Sequence, residues 1–550
     1  MFLHSLYIEN FRAIKKARLS LDEAIALIGE NDSGRTSLLD ALALILNPEL
    51  SVQDIDFIKE DFYHVIGEDK PAGPLKVDLF FKEKNRGEWR SDEFHSIHKL
   101  IDFNPKGKQE LRVQFLFYYA EEGISREFTI TNTTTNIHCD DIEILEWIRT
   151  INPVIRVAPG MLTGHGSVNV LTNVYDSGSN SFPADLQKQV QRVLKSSQSI
   201  LSKKSLNYYA EIEKGYKAAR KLSAYLHTVS GLEGVRFDIK DTNADDDISA
   251  LSSNAYNERR NISGKIGALL LMATLIKACG KTPLNQVDPI WVIEDPEAHL
   301  HKIALATVNK LLRGIQGQKI ITTHSGGLLA SFPLTQIRKL TRKDGVIYEY
   351  KIAEGSLKDD EIRKIDYHLR AHRNSSFFSR VWLLVEGETE FWLLPRFASV
   401  LGFDFRLEGI SCVEYAQSGL RPLIKVAEQM NIDWLLLSDG DQAGMNYANQ
   451  AEALNKENSV GKIHVFPARD IEHYLWKSGY KGVYYKSAKT SHPIDKVSPS
   501  RTIKQAIRKY SKPHMALNIV EAAAARGAQG VPKELKEIIR LCIKAARSNF

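Results

Sequence analysis

Short apolar runs that each close on carboxylates constrain this chain more than any other feature: "PIWVIED", "VWLLVEGETE", "DWLLLSDGD" and "KIHVFPARD". A strand that is apolar at every position is buried on both faces, which happens where helices cover both sides of a mostly parallel sheet. Around "VWLLVEGE", "ISCVEYA", "DWLLLSDGD" and "KIHVFPARD" the intervening stretches "FWLLPRFASVLG", "RPLIKVAEQM" and "MNYANQAEAL" read as helices. Strand and helix alternate, so the region reads as a doubly wound α/β sheet with ligands at the strand C-termini. Acids crowded at those ends repel and raise one another's pKa unless a cation, commonly divalent, sits among them.

Residues two apart on an extended segment point the same way, so Asp439 and Asp441 read as a carboxylate pair after the run 434–437. If strand 381–385 lies beside that run, Glu386 meets the pair, and a helix starting after Gly387 brings Glu390 round from Glu386 by one turn. Asp470 and Glu472 form another pair two apart after a strand. Arg469 is the only cation close in sequence to these six acids, so hard cations with oxygen ligands, Mg²⁺ or Mn²⁺, are the expected partners.

The N-terminal stretches "LYIENFRAI", "KKARLSL" and "AIALIGEN" read as three strands, and "SLLDALALIL" reads as a helix. Between strand and helix lies "GENDSGRTS", residues 29–37, a phosphate-binding loop in every position but one. Gly29 and Gly34 give the turn, Asn31 and Ser37 belong to the same stretch, and Thr36 is placed to ligate Mg²⁺. Arg35 stands where lysine is usual. A planar guanidinium fork does not replace a compact ammonium, so nucleotide binding is expected to survive while hydrolysis is slowed or altered. Glu294 and Asp295 close a later strand where Mg²⁺ and an attacking water are expected, and His324 ends another within reach of a γ-phosphate. Residues 75–130 alternate apolar and charged positions, as an antiparallel sheet open to water on one face does. His299 and His301 lack the further spaced ligands a zinc site needs.

With "NFR" near the start, the loop containing Asn31, an acidic pair before proline and His324, the chain resembles the ABC ATPases of the SMC and DNA-repair type. The resemblance implies ATP sandwiched between two heads, with Ser263 of the degenerate signature "NISGKIG" facing the other subunit's loop, and hence a homodimer or a higher even-numbered oligomer. "VEGETE" with "LLSDGDQAG" resembles a Toprim domain. An ABC-type head followed by a Toprim domain resembles the OLD (overcoming lysogenisation defect) family of ATP-dependent nucleases. That resemblance implies that Glu386, Glu390, Asp439, Asp470 and Glu472 hold two metals, that Lys512 in "SKPHMAL" assists them, and that the substrate is DNA. It implies a role in bacterial antiphage defence, alone, beside a helicase-like protein, or in a retron with a reverse transcriptase and its msDNA.

The expected organisation is an ABC-type ATPase in two parts, 1–165 and 236–372, a helical dimerisation insertion at 166–235, and a Toprim domain with a basic helical extension at 373–550. At 550 residues the chain exceeds one compact core. The longest apolar run, 266–276, is too short to span a membrane, no secretory leader is evident, and four dispersed cysteines fit a reducing compartment, so a cytoplasmic location is expected. From Lys477 onward 16 Lys/Arg face 4 Asp/Glu, a basic tail suited to a phosphate backbone beside a metal site. Two other readings compete. One is an SMC-like DNA clamp with a silent acidic site, although sustained heptads for a long arm are missing. The other is a topoisomerase or primase, although no module for a nucleophilic tyrosine is recognisable.

Overall fold

The computed structural model describes residues 1–47, 50–65, 67, 70–104, 106–120, 123–157, 288–298, 317–367, 374–454, 461–488 and 496–548. The expected insertion at 166–235, Ser263, His299 and His301 lie outside the described residues. The chain divides into two compact units, Met1–Phe332 with Gln336–Glu349, and Pro333–Thr335 with Tyr350–Phe550.

The first unit opens with β1 (Phe2–Phe11), β2 (Ile14–Ser20) and β3 (Ala24–Gly29), then the loop and α1 (Arg35–Ile45). There follow β4 (Leu75–Lys82), β5 (Glu110–Ala120), β6 (Gly123–Asn132), β7 (Ile137–Cys139), α2 (Ile142–Ile151), β8 (Val154–Val157), β9 (Ile290–Ile293), β10 (Gln318–Thr322), α3 (Gly326–Leu329), β11 (Ile337–Lys343) and β12 (Val346–Tyr350). Among the described residues these twelve strands make one sheet in the order β7-β6-β5-β4-β1-β2-β12-β11-β3-β10-β9-β8. The run β7 to β2 is antiparallel. On the other side, β11, β3, β10, β9 and β8 are parallel. Two kinds of sequence produce the two halves. β5 buries alternate residues from Leu111 to Phe117, and such a strand keeps one face on the core. β9 is buried at all four positions, as a strand covered on both faces must be. Leu38, Leu39, Leu42 and Ile45 of α1 share one core with Leu6, Ile8 and Val292.

The second unit contains α4 (Asp359–Ile365), β13 (Val381–Val385), α5 (Glu388–Val400), β14 (Ile410–Glu414), α6 (Leu420–Gln429), β15 (Asp433–Ser438), α7 (Gln442–Leu454) and β16 (Ile463–Val465). After them come α8 (Ile471–Leu475), α9 (Lys481–Ala488), α10 (Pro499–Tyr510), α11 (Lys512–Ala524) and α12 (Lys533–Ser548). Among the described residues its four strands are all parallel, in the order β14-β13-β15-β16. The chain leaves β13 towards β14, then crosses back to β15 and β16. The direction of winding therefore reverses between β13 and β15, and in open α/β sheets ligands bind at such a switch point, beyond the strand C-termini. Both units thus have the α/β architecture that the apolar runs require, the second as a doubly wound parallel sheet.

Two glycines hold the chain tight at that switch point. A Cβ on Gly440 would lie 2.3 Å from the Ala468 carbonyl oxygen, and one on Gly444 would lie 1.9 Å from that of Asp439. Backbone oxygens cannot swing aside as a side chain can. Gly444→Ala is expected to destabilise the protein by about 1–3 kcal/mol, at the upper end of that range, and chemical denaturation measures it.

Candidate active site and nucleotide site

β13 is buried along its whole length and ends on Glu386, which is half-buried. Gly387 then starts α5, whose first turn carries Thr389 and Glu390, 2% and 4% exposed. The turn of helix that separates Glu390 from Glu386 brings both acids towards the end of β15. There the Asp439 backbone and the Tyr415 side chain both favour the ionised Glu386 carboxylate, while the Tyr415 hydroxyl donates to the Leu437 carbonyl oxygen at 3.4 Å. Glu386 Oε2 and Asp439 Oδ1 are nevertheless buried without a hydrogen-bond partner. On the neighbouring helix α8, Glu472 is 6% exposed and its Oε1 accepts from Thr389 Oγ1 at 2.8 Å. Lys512 Nζ lies 3.4 Å from the same oxygen.

Burial sets the electrostatics, and like charges add to it. Asp439 is pushed up to about 8 by burial and then by Glu386, Glu472, Asp470 and Asp441. Burial raises Glu390 well above the usual carboxylate range, with Asp439 and Glu472 pushing the same way. Glu386 is also raised, by burial and by Asp441, against the Asp439 backbone, Lys512 and Tyr415. Tyr415 is raised by burial and by the fields of Glu386, Asp439 and Glu390. Burial alone would lower Lys512, but Glu472, Glu390 and Asp439 outweigh it and hold the ammonium above its ordinary value. Three strained carboxylates with two orphaned oxygens beside one lysine form a pocket short of positive charge. Hard divalent cations fit that deficit, since their ligands are carboxylate oxygens. Among the described residues no three such side chains already close into a metal-ligand shell.

The two members of each expected pair have different hydrogen-bonding roles. β15 ends at Ser438 and β16 at Val465, so neither pair lies within a strand. Asp441, half-buried, accepts the Gly444 N–H at 2.9 Å, at the start of α7. Asp470 is the N-cap of α8, accepting the His473 N–H at 2.8 Å, and it also meets His473 Nδ1 at 2.6 Å. A helix start leaves backbone donors without partners, and the nearest aspartate satisfies them. Asp439 and Glu472 lie in the pocket, and the charges of Asp441 and Asp470 also reach Asp439. Sequence reasoning missed Thr389 and Tyr415. Tyr415 had a signal, since it follows the apolar run of the neighbouring strand; Thr389 had none.

In the first unit both loop glycines are required. A Cβ on Gly29 would lie 2.6 Å from the Leu340 carbonyl oxygen, and Gly34 has φ 83° with Ile347 Cδ1 2.4 Å from where its Cβ would stand. Asn31 and Thr36 are exposed and Ser37 is half-buried. Arg35, only 8% exposed, turns inward, with its Nη2 2.8 Å from His324 Nε2 and its Nη1 buried without a partner. A guanidinium has only donors, so His324 Nε2 accepts. Burial lowers Arg35, against the fields of Asp295 and Glu297. The expected acidic pair is separated. Glu294 is ion-paired with Arg156, which also holds Asp40. Asp295, at φ 39°, donates its N–H to Thr322 Oγ1 at 3.1 Å. The carboxylate that braces the His324 loop is Glu297, which sequence reasoning overlooked two residues further on. Its Oε1 accepts from Thr323 Oγ1 at 2.7 Å, His324 N at 2.8 Å and Ser325 N at 3.0 Å.

Comparison with known proteins bears on both units. Residues 1–376 match the family described as "Protein of unknown function (DUF2813)". Residues 377–441 match the "Overcoming lysogenization defect protein-like, TOPRIM domain". The chain is 30% identical to the uncharacterized protein YbjD of Escherichia coli (strain K12), covering 100% of this chain and 99% of that one. It is 23% identical to endonuclease GajA of Bacillus cereus (strain VD045), over 80% of this chain and 75% of that protein. Among solved structures, the C-terminal region of the Burkholderia pseudomallei OLD protein aligns with 31% of this chain and 99% of its own, at 19% identity and a TM-score of 0.27. Among the described residues no helix is long and apolar enough to cross a membrane. The chain belongs to the DUF2813 family, and it carries an OLD-like TOPRIM domain on its C-terminal side.

Proposed function

We propose that this protein is a nucleotide-regulated, divalent-metal-dependent DNA endonuclease. The observation that carries the reading is the pair of buried, unpartnered oxygens, Glu386 Oε2 and Asp439 Oδ1, at the switch point of the second sheet. Glu386, Glu390, Asp439 and Glu472 would hold Mg²⁺ or Mn²⁺, with Asp441 and Asp470 at the margin. Bound there, such ions supply a water that deprotonates near neutral pH and counter-charge for the leaving oxygen. Thr389 orients Glu472 through its hydroxyl. Lys512, held charged by the acids around it, offsets the negative charge that grows on the phosphoryl oxygens. Water adds to phosphorus, the bond to the 3′ oxygen breaks, and a 5′-phosphate remains.

In the other unit, the loop from Gly29 to Ser37 would take ATP with Mg²⁺ on Thr36. Arg35 is committed to His324, so occupancy of the loop rather than rapid turnover is the signal that gates DNA cutting. Ser263, outside the described residues, is assigned to the signature of a partner head in a homodimer. A role in antiphage defence, alone, with a helicase-like protein or with a reverse transcriptase and its msDNA, extends the same reading.

Supercoiled plasmid incubated with Mg²⁺ or Mn²⁺ tests it, using wild type and Glu386→Ala with ATP, with a non-hydrolysable analogue and without nucleotide. Nicked or linear DNA that is lost in the variant and is as strong with the analogue as with ATP is the expected result. Equal cutting in all three nucleotide conditions removes the gating. Retardation without cutting supports a clamp, and relaxed closed circles support a topoisomerase.

A further inference from the structure

Helix α10 carries charge that the cleavage chemistry does not use. Thr502, Ile503 and Ala506 face the core. Arg501, Lys504 and Arg508, spaced three and four apart, fall on the opposite side and are exposed. Among the described residues none of the three forms an ion pair, unlike Lys462, Lys512 and Arg547 of the same unit.

The helix is anchored to the acid pocket at both ends. At its start Ser500 Oγ meets His473 Nε2 at 2.8 Å, and the other ring nitrogen is held by Asp470. At its end Ser511 adopts φ 67° and ψ 160°, a region almost confined to glycine. That turn starts α11 at once and delivers Lys512 to Glu472. Beside it, Tyr510 stacks on the exposed His514 with ring centroids 5.1 Å apart and planes 12° from parallel, and the Lys509 ammonium lies 5.0 Å from the Tyr510 ring.

We propose that α10 is a rail for an unpaired DNA strand, with Arg501, Lys504 and Arg508 on successive phosphates and the Tyr510–His514 stack as a step for one base. The proposal rests on the nuclease reading and names its substrate more closely. Along the helix axis the three cations stand about 4.5 and 6 Å apart, steps that long flexible side chains can adjust to successive phosphates of one strand. Cations that track a backbone next to an aromatic platform are how single strands are held without reading sequence. An acidic protein partner would need apolar anchors, and this face of α10 offers none.

Anisotropy of a labelled single-stranded oligonucleotide, in EDTA over a salt series, tests the rail. The combined Arg501→Gln, Lys504→Gln and Arg508→Gln variant is expected to bind on the order of 100-fold more weakly near 0.1 M salt. Its slope of log affinity against log salt should fall by about 2, from about 0.7 per lost contact on a single strand. His514→Ala is expected to weaken single-strand binding about fivefold or more and leave a duplex of the same sequence unaffected. Lys504→Gln alone should give about a third of the slope change, which keeps the test open if the triple variant folds poorly. An unchanged slope in a folded triple variant overturns the rail, and the nuclease reading then still stands if Glu386→Ala abolishes cutting. Tighter binding of duplex than of single strand, or of the matching RNA than of DNA, overturns the assignment to unpaired DNA. Wild type that neither binds nor cuts DNA removes both proposals.

Discussion

Asp439→Asn is expected to reduce metal-dependent plasmid cutting by about 10³-fold or more, equivalent to about 4 kcal/mol of barrier, while raising the melting temperature of the metal-free protein. The two effects share one cause. The Asp439 carboxylate is buried against Glu386 and Glu472, and its Oδ1 has no donor. A charge in that setting is a cost to the fold, and the amide removes it without changing shape. The gain should be about 1–2 kcal/mol, of the kind released when strained functional groups are neutralised. A functional site is distinguished from a structural one by this opposition of signs. Loss of cutting with a lower melting temperature would assign Asp439 to the scaffold, and undiminished cutting would remove it from the chemistry. Parallel melting curves and plasmid assays on one preparation decide between these.

The second expectation concerns pH. Asp439 is pushed up to about 8, above the ordinary carboxylate value, so between roughly pH 4 and 8 the folded state binds a proton that the unfolded chain has released. Its contribution to the stability of the metal-free protein is therefore greatest at low pH and falls as pH rises through that window. Solvent access discounts the magnitude to about 2–3 kcal/mol. A divalent cation requires the deprotonated form, so its binding releases protons and is favoured at high pH. Mg²⁺ is thus expected to raise the melting temperature by several degrees at pH 8 and by almost nothing at pH 5.5. Other groups titrate in the same range, so the difference between wild type and Asp439→Asn isolates this one. A Mg²⁺ effect independent of pH, or equal in both proteins, would count against cation binding at Asp439.

Much of this arrangement is local and was legible in the residues. "VWLLV" can only be a covered strand, so Glu386 had to stand at its mouth, and the spacing from Glu386 to Glu390 follows from the pitch of a helix starting at Gly387. The loop glycines were readable because a tight turn at Gly34 needs positive φ. The split of Asp439 from Asp441 and of Asp470 from Glu472 was not readable. Both outcomes were open to a chain of period two, and the choice was made by helix starts needing an acceptor. Arg35 was recognised as an exchange for lysine, but its turn towards His324 depends on a residue 289 positions away. Glu297 and Thr389 gave no signal because each acts on a partner remote in the chain, the one on the His324 loop and the other on Glu472.

The sequence by itself determined which strands are covered on both faces, where the carboxylates stand relative to strand ends, and that a phosphate-type loop joins β3 to α1, since each of these follows from residue type and spacing within a dozen positions. Tertiary structure alone decided which carboxylates hold their protons and which serve as caps. Protonation and solvation depend on how much water the neighbouring segments exclude, and β13, β15, α8 and α11 exclude it together only once they pack.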